Sequence, residues 1–500
     1  MKNNLSSHVV SYIVSPAQIN ADQKMVAYDI WGTTAHVVML HEAKIVSTEK
    51  AAKILKALKD INEEFNKGQF SINPQKGAQL TLEAKIVEKA GELAGLSAHT
   101  ARSRNDQVMA TEMLYLREEL LATILLLTAA IGQLLKLSKQ HVKTVFPGYT
   151  HMQPAKPTTF AQWCLAYSAS LLRVCKQLQS VYEQFNLSPL GAAESFGTSW
   201  PIDRKLTAKL LGFSEVWEIP QDVISSRGFF QLAILDSFNQ LTIVASKIAT
   251  DLLLYSTFEY GLVSLGDQVA QRLHPITGSS IMAQKKNPDA LELVRSAAPQ
   301  ITGIHQIVSG ILTALPNGYN RDGREIKEYI SLAIDKVSST INVLGDVFSG
   351  LSVNKEHALS LVIKNYSLTT DLADYLAQKS QLPFRLVYKI VGQVVNEAME
   401  TGKLINSIAS DEIETAAKVH GVEITVSPQE LKEVLDPQNA LEKRKHIGGT
   451  NSVITITSIK AKKAEMNKMK TWGLSKQEKI KKAKSITEQT AQKIIDEVHI

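Results

Sequence analysis

Two cysteines in 500 residues exclude a disulfide scaffold and a Cys-rich zinc site, and they fit a reducing compartment. Glycine (26) and proline (15) are too few for a collagen-like or low-complexity chain. Charge of one sign is missing from most of the molecule. The net +6 is accounted for by Lys460–Ile500, which holds 11 Lys, no Arg and 5 acids. A neutral body argues against binding nucleic acid. An uninterrupted apolar run of bilayer length is missing too. Leu120–Leu135 is short and broken by Thr123, Thr128, Gly132 and Gln133, so it reads as a buried bundle helix and no membrane partner is expected. The first residues lack an apolar core followed by a small-residue cleavage site, which predicts a cytoplasmic protein.

What is present is a soluble globular balance, 44% apolar and 21% charged, in a chain too long for one ordinary core. Helical periodicity dominates and alternating β patterns are scarce. Long helices are expected at Glu118–Val142, Gln231–Val263, Asp289–Leu315 (kinked near Pro299) and Glu325–Val347. The expected fold class is mainly α, a three-domain subunit around a central bundle of long helices. Residues 1–112 form an N-terminal helical domain, 113–362 the bundle, 363–460 a small helical domain and 461–500 a lysine-rich extension. Thr450–Ile459 fits a short strand or a helix start. The extension reads as a solvated amphipathic helix, with a partner-binding helix and an anion-binding arm as alternatives.

Four polar segments interrupt the helices. His99–Gln107 (HTARSRNDQ) places two arginines, Ser103 and Asn105 before a helical run; Arg forks match carboxylates, while plain helix capping explains the same residues. Gly148–Pro157 (GYTHMQPAKP) carries Thr150, His151 and Gln153 in a proline-punctuated loop, where a histidine can move protons or merely brace the loop. Thr277–Pro288 (TGSSIMAQKKNP) is neither a Walker loop nor a GxSxG elbow. Its Asn287-Pro288 predicts an N-cap with Pro at the first helical position, setting Lys285 and Asn287 at the positive end of a helix with Glu292 one turn inside. Tyr319–Lys327 (YNRDGREIK) offers Arg324 and Lys327 for a second anion, or is only a polar turn.

The third segment resembles the GSSxMPxKxNP loop of the fumarase/aspartase superfamily. RSRNDQ, GYTHMQPAKP, Pro201–Arg204, Thr369–Tyr375, Leu382–Arg385, Leu435–Pro437 and Gly448–Thr450 resemble, in order, the argininosuccinate lyase family. The resemblance spans roughly residues 20–452. It implies a fumarase/aspartase-like fold, a homotetramer whose active sites are shared among subunits, a small-molecule aminosuccinate substrate, and no cofactor or metal. The implied activity is reversible elimination of fumarate from argininosuccinate to give arginine, a carbon–nitrogen lyase reaction of arginine biosynthesis. Related lyases releasing fumarate from another N-substituted aspartate, and catalytically silent crystallins, are the alternatives.

Matched residue by residue, the resemblance makes Ser279 the base, with His151 and Glu292 as a second proton-transfer pair. Lys285 and Asn287 face the developing charge. Ser103, Arg104, Asn105, Thr150 and Gln153 fall in the succinate-binding motifs. Tyr319, Arg324 and Lys327 fall in the amine-side motif, and Asp29, Thr33 and Arg227 in stretches lining the site. The chemistry needs such groups, because a proton must leave the carbon beside a carboxylate and the resulting dianion requires preorganised donors. The chain departs from the family pattern at Gln18, at Lys76–Gln79, at Ile219, at Ala283 and at Arg324, where the family usually has Gln.

Overall fold

The structure is a computed structural model that describes residues 6–498. Its helices run in order α1 (Ser7–Ile13), α2 (Pro16–Gln23), α3 (Val26–Glu42), α4 (Thr48–Asn66), α5 (Ala78–Ala90), α6 (Glu92–Ser97) and α7 (Arg104–Gln140). A hairpin of β1 (Val145–Thr150) and β2 (Gln153–Thr159) leads into α8 (Phe160–Phe185). Then come β3 (Leu187–Ser188), α9 (Arg204–Leu210), β4 (Glu215–Val216), α10 (Pro220–Ser225), α11 (Phe229–Tyr255), β5 (Val263–Ser264), α12 (Asp289–Leu312) and α13 (Ile326–Gly350). After β6 (Ser352–Val353) follow α14 (Lys355–Lys364), α15 (Thr369–Ser380), α16 (Phe384–Glu400), α17 (Ser410–Val419), α18 (Pro428–Val434), α19 (Pro437–Lys443) and α20 (Ser452–Asp496). The fold is mainly α, as the periodicity predicts.

The long helices alternate in direction. Each of α7, α8, α11, α12 and α13 has 24–37 residues, or about 36–55 Å of rise at 1.5 Å per residue. The bundle therefore has two well-separated ends. One holds the starts of α7, α11 and α13; the other holds the β1–β2 hairpin, the segment after α11 and the start of α12.

Helix boundaries differ from the expected ones where caps act. α7 begins at Arg104, well before Glu118, because Ser103 and Asp106 form a capping box. α11 stops at Tyr255 because the chain turns at Ser256 and Thr257, whose hydroxyls donate to Leu253 O and Leu254 O. Pro299 lies inside α12 without ending it. Pro288 is itself the N-cap of α12, so the expected Asn287 cap is corrected: the Asn287 amide instead donates to Gly278 O at 3.4 Å. Gly148–Pro157 is not a loop but most of a hairpin. Gly148 makes that possible, since a Cβ there would meet Lys156 O at 2.4 Å.

The lysine-rich tail is not a solvated helix either. It belongs to α20, one 45-residue helix that also absorbs Thr450–Ile459 from Ser452 onward. α20 packs on α3, α4, α7, α8 and α9. Met466, Met469, Ile480, Ala483 and Ile494 are buried and the lysines point outward. These side chains belong to the same core as α3, α4 and the bundle. A second core joins α15–α19, from Leu368 to Ala440. Among the described residues one helix, α7, is long and apolar enough to cross a membrane, but much of its apolar stretch is buried inside the bundle.

Candidate active site

At the first end of the bundle, a cavity of about 450 Å³ opens between the start of α7, the turn before α5 and the turn before α13. Asn105, Ser103, Arg104, Arg227, Tyr319, Arg324 and Lys327 line it. Thus the first and fourth polar segments meet, though over 200 residues separate them. Ser103 accepts from Asn105 N at 3.3 Å, and the Asn105 amide donates to Glu194 O at 3.2 Å. The second bond ties the Asn105 side chain at the cavity rim to the backbone of Glu194.

Behind the wall sits a buried ionic array. Lys327 Nζ lies 2.6 Å from Asp22 and 3.6 Å from Glu112. Arg227 Nη2 lies 2.8 Å from Glu112, whose other oxygen accepts from Gln231 at 2.9 Å. The Arg227 guanidinium also stands 5.8 Å from the Tyr319 ring. Buried charges persist only when paired this way. Asp29 and Thr33 do not line the cavity. Asp29 accepts from Gln107 at 2.7 Å and from Gln79 at 3.4 Å, and Thr33 accepts from Arg102 at 3.1 Å. They position Gln79 and Arg102, which do line it.

Two wall residues, Lys76 and Gln79, carry no sequence signal strong enough to pick them out, whereas Arg102 is one of the two arginines of the first segment. Only burial distinguishes it from a surface arginine. Lys76 and Gln79 reach the cavity through the turn at Gly77. His99 is pushed down to about 4 by burial and by Arg102 and Arg104 beside it, so it is neutral near pH 7. Asp106 is pushed up to about 6 by burial, although Arg102 and the N–H groups of Ala193, Gly191 and Ser103 oppose the shift.

The remaining candidates lie at the opposite end. His151 and Met152 form the hairpin tip with φ of 54° and 57°, the left-handed pair of a type I′ turn that usually takes Asn-Gly. Holding two non-glycine residues there costs about 1–3 kcal/mol each, a feature that clusters at functional sites. His151 is exposed, and so is Gln153, paired across the hairpin with Thr150. Ser279, Lys285 and Asn287 occupy the segment before α12, drawn together by a bridge between Gly278 and Lys286. Ser279 Oγ accepts from Met282 N at 3.1 Å and Ile281 N at 3.4 Å. Backbone donors on a hydroxyl oxygen favour its anionic form. Lys286 is anchored to Leu265 O at 2.7 Å and Asp267 at 3.1 Å, whereas Lys285 has no carboxylate partner among the described residues. Glu292 is exposed in the first turn of α12. Within one chain, none of these residues reaches the cavity at the other end.

Two halves of this kind, one lined by cations and amides and the other carrying a hydroxyl, a histidine and a lysine, invite comparison with known proteins. Residues 15–303 match a family model described as lyase, and residues 366–442 match one described as argininosuccinate lyase C-terminal. The argininosuccinate lyase of Streptococcus pneumoniae (strain JJA) is 36% identical over 87% of this chain and 90% of its own. The chain belongs to the argininosuccinate lyase family. The argininosuccinate lyase of Streptococcus gordonii is 35% identical over 90% and 95% of the two chains. Among solved structures, an EDDS lyase in complex with formate superposes with a TM-score of 0.86 at 28% identity, covering 99% of this chain and 97% of that one. A class II fumarase from Schistosoma mansoni shares the fold, with a TM-score of 0.67 at 17% identity over 85% and 91%. Membership in the argininosuccinate lyase family makes this chain a carbon–nitrogen lyase of the fumarase/aspartase superfamily.

Proposed function

We propose that this chain releases fumarate from argininosuccinate, leaving arginine, as one subunit of a cytoplasmic homotetramer whose active sites are each built from several copies. The observation that carries the reading is the split itself. The cavity end gathers cations and amides around one neutral histidine, His99; the far end has the Ser279 hydroxyl, His151 and a free Lys285, the last lining a separate cavity of about 1090 Å³ that no residue of the first end reaches. About 36–55 Å of helix separates them, so only packing of copies end against end completes a site.

In such a site Ser279 takes the proton from the carbon beside the carboxylate. The electron pair it leaves moves onto that carboxylate, which becomes a dianion facing Lys285, Asn287 and the backbone amides near Ser279. The pair then returns to form the double bond of fumarate as the carbon–nitrogen bond breaks. The bond's own electrons stay on nitrogen, and His151, held by Glu292, supplies the proton that nitrogen takes up. The steps move protons and electron pairs only, so no redox cofactor is called for. Ser103, Arg104, Asn105, Thr150 and Gln153 hold the succinyl carboxylates. Tyr319, Arg324 and Lys327 face the arginine part, while Arg227, Asp29 and Thr33 support the wall.

The test is fumarate absorbance with argininosuccinate as substrate. Ser279→Ala is expected to lower kcat by about 100-fold or more. Near wild-type turnover in that variant would remove Ser279 from the role.

A further inference from the structure

The cavity at the start of α7 is more cationic than an arginine leaving group requires. Seven lining side chains are Lys or Arg and, among the described residues, none is Asp or Glu. Three of the cations are compensated from behind. Lys327 pairs with Asp22, Arg227 pairs with Glu112, and Arg102 stands beside Asp29 and Asp106. Lys76, Arg104, Arg321 and Arg324 have no carboxylate within salt-bridge distance among the described residues.

Two of those four come from neighbouring walls that touch. A Cβ on Gly77 would lie 3.7 Å from Arg324 Nη2, so Arg324 rests against the turn that carries Lys76. Arg324 is half-buried; burial, with the charges of Arg321 and Arg227, disfavours its protonated form, while Asp22 and Tyr319 oppose the shift. Asp22, the acid that acts on Arg324, is already paired with Lys327 at 2.6 Å, and like charges brought together with so little compensation favour an anion between them. The segments proposed to complete the site bring little relief. Gly148–Pro157 and Thr277–Pro288 contain no Asp or Glu and add Lys285, and the one carboxylate proposed to join them, Glu292, is assigned to His151. The guanidinium of an arginine leaving group finds no carboxylate in this wall, and its single carboxylate needs only part of the positive charge. A leaving amine with an extra carboxylate finds two unpaired cations.

We propose that the site also eliminates fumarate from aminosuccinates whose leaving amine is a dicarboxylate, with Arg324 and Lys76 receiving the additional carboxylate. The proposal rests on the lyase reading above. The bond changes are the same: the carbon–hydrogen proton goes to the base, the carbon–nitrogen pair stays on nitrogen, and fumarate and an acidic amine leave.

The experiment compares fumarate release by the intact protein from argininosuccinate and from N-(1,2-dicarboxyethyl)glutamate. The expected result is a kcat/KM for the acidic substrate at least equal to that for argininosuccinate. Arg324→Gln should lower the acidic substrate's value about 10-fold more than argininosuccinate's, as loss of one charge-assisted contact implies. Raising ionic strength on the unaltered protein should raise KM more steeply for the acidic substrate, a readout that does not depend on the variant folding. Turnover of argininosuccinate with the acidic substrate more than 10-fold poorer overturns this proposal and leaves the lyase reading intact. Fumarate from neither substrate overturns the lyase reading as well.

Discussion

Lys327 shows how one residue serves two ends at once. Its ammonium belongs to a buried array with Asp22, Glu112 and Arg227, yet its stem forms part of the cavity wall. Lys327→Met would leave Asp22 without its cation in the interior. The expected loss is about 3–5 kcal/mol of stability, the usual consequence of breaking a buried pair from one side. Denaturant titration checks it; a loss under about 1 kcal/mol means the pair is hydrated and the array is not what holds α13 to α2. Asp106 gives a pH signature. Its carboxyl titrates at about 6 in the fold against an ordinary 3.8, mainly through burial. The folded state therefore binds this proton more tightly than the unfolded chain. The contribution is complete below pH 4 and is lost as pH rises through about 6, by roughly 3 kcal/mol at 1.36 kcal/mol per unit. Comparing denaturation of wild type and Asp106→Asn from pH 4 to pH 7.5 isolates it. The stability difference should move against the wild type as pH rises; an unchanged difference contradicts the assignment.

At the scale of elements, the hairpin and α20 carry the sharpest expectations. The β1–β2 hairpin depends on Gly148, because any side chain there collides with Lys156 O. Gly148→Val should displace the His151 tip and lower kcat by an order of magnitude or more while far-ultraviolet dichroism stays helical, since the bundle does not rest on the hairpin. Normal turnover would show that His151 is not held by this turn. α20 is core, not ornament. Thr487 Oγ1 donates to Leu210 O at 2.6 Å and Trp472 Nε1 donates to Glu183 at 3.1 Å. The apolar groups buried by the tail contribute on the order of 10 kcal/mol. Removing residues 461–500 should give an unfolded or aggregated chain, seen as loss of the cooperative thermal transition. A truncated form as stable as the full chain would mean that α20 merely lies on the surface.

For the whole molecule, the separation of the two ends leads to a mixing experiment. Ser279→Ala disables the hairpin end and Asn105→Ala the cavity end. Refolded together, the two inactive variants should regain turnover, because some sites then join an intact cavity from one copy to an intact loop from another. No recovery on mixing would place each site within one subunit and overturn the shared-site reading.

Sequence alone was enough for what depends on local composition and pattern. A cysteine-poor, helix-periodic chain specifies a helical bundle, because periodicity decides which face is buried. The motifs RSRNDQ, GYTHMQPAKP and GSSIMAQKKNP identify the chemistry, since each gathers its polar groups within about ten residues. Caps and cores lay outside that reach. The tail reads as solvated because its large apolar residues are widely spaced among many lysines, and only the groove formed by α4, α7 and α8 turns its sparse Met and Ile positions into core. The hairpin was hidden by prolines that in isolation suggest a loop. Arg102, Lys76 and Gln79 became wall residues only when α5, α7 and the turn before α13 converged, and Asp22 and Glu112 became partners of Lys327 the same way. Charge partners distant in sequence are chosen by packing, which is why the cationic character of the cavity is a property of the tertiary structure and not of any one segment.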